Sequence, residues 1–243
     1  MNRIIKTIAL VMMTAMLAAC VKDPSTDPEP EPTPTIDPFE NARFSILGDS
    51  YSTFTGHVSP ATNDIWPYYY QIGVTSVEQM WWHQMAESLG WTLETNNSFS
   101  GSLVCNMNYN NYYGPYSFLN RMDNLGSPNV ILVFGGINDF KDGADLGDYI
   151  YWDWTIEELE DFRPALANLF SRLSEIYPEA VVIYMADADM GEKFVRSAHT
   201  VCDFYGVKCV DLEGIEKDWE HPSAAGMTTI ARRMVETIRS MQR

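Results

Sequence analysis

Five short apolar runs recur along the chain, at Arg43 to Leu47, Thr92 to Asn96, Val130 to Phe134, Val181 to Met185 and Val207 to Val210, and stretches of helical periodicity separate them. Nearly continuous apolar strands rich in β-branched residues suit a parallel sheet covered on both faces. The intervening segments carry helix signals. Ser76-Val77-Glu78-Gln79 reads as a capping box opening a helix that Gly90 ends, and Thr155-Ile156-Glu157-Glu158 reads as a second box, opening a helix that Pro164 breaks or kinks before the longer stretch to Tyr177. A third helix starts at Asp189 to Glu192 and closes near Gly206. A fourth, from about Ser223, aligns Met227, Ile230, Met234, Ile238 and Met241 on one stripe. Alternation of this kind predicts a doubly wound α/β sheet.

In open α/β sheets, ligands bind beyond the carboxyl ends of the strands. Directly after the first three runs stand Gly48-Asp49-Ser50-Tyr51-Ser52, Asn97-Ser98-Phe99-Ser100-Gly101 and Gly135-Gly136-Ile137-Asn138-Asp139, and near the end comes Asp218-Trp219-Glu220-His221. Serine ester hydrolysis needs a hydroxyl that loses its proton to an imidazole, a carboxylate that orients the imidazole, and donors placed for the oxyanion. Ser50, His221 and Asp218 fit the first three roles; Gly101 and the titration-free amide of Asn138, with the Ser50 amide, fit the last. Taken singly, these are also a helix cap, a surface turn, a loop glycine and an Asn-Asp turn, and their weight lies in their convergence. Of the four histidines, His83 and His199 fall inside helices, where structural or solvated roles suit them, and His57 lies in an aromatic loop at a possible site rim. A Gly-x-Ser-x-Gly nucleophile elbow does not occur.

These four blocks together resemble the SGNH, or GDSL-type, hydrolases, whose Ser, Gly, Asn and His fall in order on Ser50, Gly101, Asn138 and His221, with Asp218 completing a triad. The resemblance covers residues 43 to 241. It implies a flavodoxin-like three-layer α/β/α sandwich with strand order 2-1-3-4-5 and acyl-ester hydrolysis without a metal or other cofactor. The first block reads Ser-Tyr-Ser where the family letters end in Ser-Leu, and three long segments, Thr53 to Thr75, Cys105 to Ser127 and Lys141 to Trp154, enlarge the domain.

Arg3 and Lys6 precede the apolar run Ile8 to Leu17, too short to span a membrane, so residues 1–19 read as an export signal. Leu17-Ala18-Ala19-Cys20 resembles a bacterial lipobox, which implies an acylated Cys20 and a lipid-anchored place in the bacterial cell envelope. Residues 20–40 hold six of the 13 prolines among acidic and hydroxyl residues, a tether rather than a core; residues 41–243 form the catalytic domain. The formal charge of −17 argues against nucleic-acid partners and against docking on anionic headgroups. Cys202 and Cys209 either pair or stay as buried thiols.

Aromatic residues crowd the long segments beside Asn106, Asn108, Asn110 and Asn111, which suits a sugar platform or simply packs the inserts down. Trp66 and Tyr112 are the expected substrate contacts. Asp142, Asp145 and Asp148 read as a solvated acidic turn, and no zinc, phosphate-loop or dinucleotide motif is present. The expectation is therefore a serine esterase removing acetyl or other short acyl groups from carbohydrate. Its rivals are a lipid-directed esterase or lysophospholipase, and a glycan-binding protein on the same fold.

Overall fold

The computed structural model describes residues 37–65, 73–107 and 114–242, within a compact unit that begins at Ile36. The expected signal segment, Cys20, the tether as far as residue 36, Trp66 and Tyr112 lie outside the described residues. No helix among the described residues is long and apolar enough to cross a membrane.

The five expected strands form one parallel sheet: β1 Arg43–Gly48, β2 Thr92–Ser98, β3 Val130–Phe134, β4 Val181–Asp187 and β5 Lys208–Leu212, in the order β2-β1-β3-β4-β5. The central β3, Val-Ile-Leu-Val-Phe, is buried along its whole length, as a strand covered on both faces must be. Truncating such a residue, Leu132 for example, costs about 2–5 kcal/mol. The edge strand β2 alternates in exposure at its start and ends in buried Asn96, Asn97 and Ser98. These polar side chains are satisfied internally: Asn96 Nδ2 donates to Ser52 O at 2.9 Å and Ser98 Oγ to Asn96 Oδ1 at 2.6 Å.

Helices α1 (Trp81–Leu89), α2 (Ile137–Asp142), α3 (Phe162–Ile176), α4 (Gly191–Tyr205) and α5 (Ala224–Met241) surround the sheet. The crossover through α1 runs to one side of β1 and the later ones to the other, which with right-handed connections places helices on both faces. Accordingly α1 packs on α5, and α3 on α4. The expected apolar stripe of α5 is buried at Met227, Ile230, Met234 and Ile238, and Ser223 Oγ caps the helix by accepting from Gly226 N.

Both expected capping boxes form, but each caps only a short 3₁₀ turn, Val77–Gln79 and Glu158–Glu160. Met80 (ψ 139°) and Asp161 (ψ 148°) are extended, so α1 and α3 start afresh after them. Pro164 therefore sits in the first turn of α3, where its missing N–H costs nothing, and it neither breaks nor kinks the helix.

Candidate active site

The carboxyl ends of β1, β2 and β3 bring Ser50, Gly101 and Asn138 to one edge of the sheet, and the chain returns there after β5 with His221. Ser50 follows β1 in a turn fixed by its neighbours: Asp49 Oδ1 accepts from Tyr51 N at 2.9 Å and Asp49 O from Ser52 N at 3.1 Å. The serine is 5% exposed, and its Oγ lies 3.0 Å from His221 Nε2.

His221 stands on a two-residue hairpin in which Lys217–Asp218 pairs antiparallel with His221–Pro222. Its corner residues, Trp219 (φ 48°) and Glu220 (φ 69°), are both left-handed, the type I′ geometry that joins tightly paired strands. That corner folds the Trp219 carbonyl oxygen back to 3.0 Å from His221 Nδ1. A carbonyl can only accept, so Nδ1 carries the proton, and in the neutral ring the Nε2 lone pair faces the Ser50 hydroxyl.

Asp218 is thus not where a triad requires it. Its side chain is exposed and makes no hydrogen bond or ion pair among the described residues, although Asp218 and His221 are direct partners across the hairpin. Hairpin geometry assigns the orienting contact to a backbone oxygen instead. Two further groups hold the hairpin. Tyr51 packs its ring edge-on to His221 at 5.3 Å and donates its hydroxyl to Glu220 O at 2.6 Å. Lys217 Nζ bridges Asp187 Oδ2 and Asp189 Oδ2, each at 2.6 Å, and so pins the hairpin to the end of β4.

Burial lowers the His221 pKa below the ordinary 6.5; the Trp219 hydrogen bond opposes this, the Lys141 charge adds to it, Glu220 opposes it and Lys217 adds to it. The imidazole is accordingly neutral near pH 7, the form able to accept a proton.

The donor side of the site is built by the second and third blocks. Gly101 is left-handed (φ 77°), and among the described residues no hydrogen bond runs from its N–H or from that of Ser50. Asn138 Nδ2 donates to Ser102 O at 2.9 Å; an amide has two N–H bonds, and this contact uses one. The glycines before it are sterically required, since a Cβ on Gly135 would meet Phe118 Cζ at 2.2 Å and one on left-handed Gly136 would meet Met190 Sδ at 2.7 Å. Asp139, wholly buried, accepts from Val104 N at 2.9 Å and Cys105 N at 3.0 Å, so the Asn-Asp pair clamps the Gly101 loop to the start of α2.

Sequence reasoning missed Arg121. It is buried and donates to Gly48 O (3.1 Å), Ser102 Oγ (2.9 Å), Tyr116 O (2.7 Å) and both oxygens of Asn97. One guanidinium thus ties together the loops that follow β1 and β2. Burial lowers its pKa to about 9, and burial raises that of the neighbouring Asp49 to about 7. Among the described residues Asp49 Oδ2 has no hydrogen-bond partner.

The aromatic inserts divide. Tyr116 stacks at 4.1 Å on Phe99, which lies just before Gly101 in the chain, and stays 37% exposed. The rings of the third insert pack instead on the far end of α4, where Tyr151 stacks on Phe204 at 3.8 Å and Tyr205 donates to Tyr151 O at 2.6 Å. His57 faces Phe54 and Trp82, each ring centroid 5.9 Å away.

Among solved structures, a GDSL-like lipase from Bacteroides uniformis is 41% identical, with 82% of this chain and 96% of that one covered and a TM-score of 0.79. One from Bacteroides ovatus is also 41% identical, over 82% and 98% of the two chains, with a TM-score of 0.79. A family two carbohydrate esterase from Clostridium thermocellum, solved with cellohexaose, shares the fold at 19% identity and TM-score 0.56, over 82% of this chain and 64% of that one. No functionally curated protein matches the sequence. Residues 42–238 match the family model of GDSL-like lipase/acylhydrolase proteins, and the chain belongs to that family.

Proposed function

We propose that the protein is a serine esterase of the SGNH type acting on O-acylated carbohydrate, with Ser50 as nucleophile and His221 as base. The observation that carries this reading is the 3.0 Å contact from Ser50 Oγ to His221 Nε2, with Nδ1 held as the protonated nitrogen by Trp219 O. His221 takes the Ser50 proton as Oγ attacks the ester carbonyl. The N–H groups of Ser50 and Gly101 and the second N–H of Asn138 receive the oxyanion. The imidazolium then protonates the departing alkoxide, and water, activated by the same nitrogen, releases the acid from the acyl-enzyme. Asp218 has no part in these steps; the Trp219 carbonyl dipole orients and stabilises the imidazolium.

A carbohydrate substrate is supported by the partly exposed Tyr116 ring near the Gly101 loop and by a fold shared with a carbohydrate esterase that carries a cello-oligosaccharide. The lipid-directed reading is supported by the two Bacteroides relatives described as lipases. Acid release from acetylated oligosaccharides and from esters of rising acyl length separates them. Preference for acetyl groups on glycans is expected; a rate that climbs with acyl length would assign the enzyme to lipids, and no release from any ester would leave only glycan binding. Anchoring through an acylated Cys20 belongs to the same reading on the strength of Leu17-Ala18-Ala19-Cys20; an unmodified amino terminus by intact-mass analysis would remove it.

A further inference from the structure

Away from the ester site, the edge strand β5 and helix α4 bring three donors of different chemistry to one spot. Cys209 and Asp211, two apart on β5, project to the same side of the strand, and His199 reaches them from α4. His199 Nε2 lies 2.7 Å from Asp211 Oδ1, and donor atoms of His199, Cys209 and Asp211 all lie within 4.8 Å of one another. The His199 and Asp211 side chains are 38% and 43% exposed and Cys209 is half-buried, so an ion has a path from solvent.

We propose that His199, Cys209 and Asp211 form a zinc site with a fourth position open to water. The donor set selects the metal: imidazole and thiolate suit a borderline-soft ion, whereas calcium and magnesium take oxygen alone. With bonds of about 2.0–2.3 Å, a tetrahedral ion holds its donors about 3.3–3.7 Å apart. Seating the ion opens the 2.7 Å His199 to Asp211 contact and settles the other donor pairs, now within 4.8 Å, at that spacing. The step balances: Cys209 gives up its thiol proton to solvent, and the neutral imidazole shifts its proton from Nε2 to Nδ1, so each ion bound releases one proton. Cys202, about one helical turn after His199, is buried beside Cys209. It is not among the three donors. The site would lock the middle of α4 to the sheet edge from which the chain departs toward the His221 hairpin.

Cobalt makes the site visible. The full chain, reduced with a phosphine and stripped with a chelator, is titrated with Co²⁺ and then Zn²⁺. One Co²⁺ per chain with a thiolate-to-cobalt charge-transfer band is expected, and Zn²⁺ should bleach it. Cys209→Ser should abolish the band, His199→Gln and Asp211→Asn should each weaken binding at least about 10-fold, and Cys202→Ser should keep the band. At free Zn²⁺ about 100 times its Kd, Tm should rise by about 5–10 °C. A wild-type chain without the band, a band that survives Cys209→Ser, or unchanged affinity in both partly exposed variants, His199→Gln and Asp211→Asn, would overturn the proposal. Each outcome is read without ester hydrolysis and so stands apart from the Ser50 reading.

Discussion

The Nδ1 of His221 donates to the carbonyl oxygen of Trp219, 3.0 Å away, across the corner of a two-residue hairpin. A backbone oxygen thereby does the orienting that a carboxylate does in a triad, and the exposed Asp218 is left outside.

Replacing Asp218 therefore has little effect. Asp218→Ala should keep kcat/KM within about 3-fold of wild type, whereas loss of a true triad carboxylate costs about 10⁴ in kcat. His221→Ala should cost several orders of magnitude. Steady-state kinetics on one acetyl ester decides between them, and a loss of about 10³-fold in folded Asp218→Ala would restore the triad.

Asn138→Ala should lower kcat about 10² to 10³-fold with KM nearly unchanged, because the oxyanion exists only after attack. An effect on KM alone would move Asn138 to substrate binding.

The acid limb of the kcat/KM profile reports the free-enzyme imidazole. Because burial holds His221 below 6.5, activity should persist to lower pH than an ordinary histidine allows. Lys217→Met removes a cation that disfavours protonation and frees the Asp187 and Asp189 carboxylates, so the midpoint should move upward. A wild-type midpoint above 6.5, or one unmoved in the variant, contradicts this electrostatic account.

Arg121→Met would remove the one donor shared by Gly48 O, Tyr116 O and both Asn97 oxygens, although Gly48 O keeps Phe99 N and Asn97 Oδ1 keeps Asn63 Nδ2. A loss of about 2–4 kcal/mol in urea unfolding is expected, with kcat falling because the loops after β1 and β2 lose their common tie. Arg121→Lys should recover only part of the loss, since an ammonium cannot span the same acceptors. A cost under about 1 kcal/mol would show that the loops hold without it.

Much of this was legible in the sequence. The β-branched runs marked all five strands, and the resemblance carried by the four blocks implied the order in which the sheet assembles them. Ser50, Gly101, Asn138 and His221 meet at one edge because each follows a strand or returns to that edge. What escaped depends on geometry that spacing does not encode. Asp218 three residues before His221 looks like a partner, yet the two left-handed residues between them bring the Trp219 carbonyl onto the Nδ1 that the carboxylate would take. Arg121 gave no signal, because a lone arginine in a polar loop reads as a surface cation until the fold buries it. His199, Cys209 and Asp211 match no metal spacing and meet only when α4 lies along β5.

The most direct test of the central claim is covalent. The full chain is treated with a fluorophosphonate, which reacts only with an activated serine, and the adduct is located by intact mass and peptide mapping. One adduct per chain on Ser50 is predicted, absent in Ser50→Ala, lost in His221→Ala and retained in Asp218→Ala. An adduct on another serine, or none on a folded chain, would contradict the account.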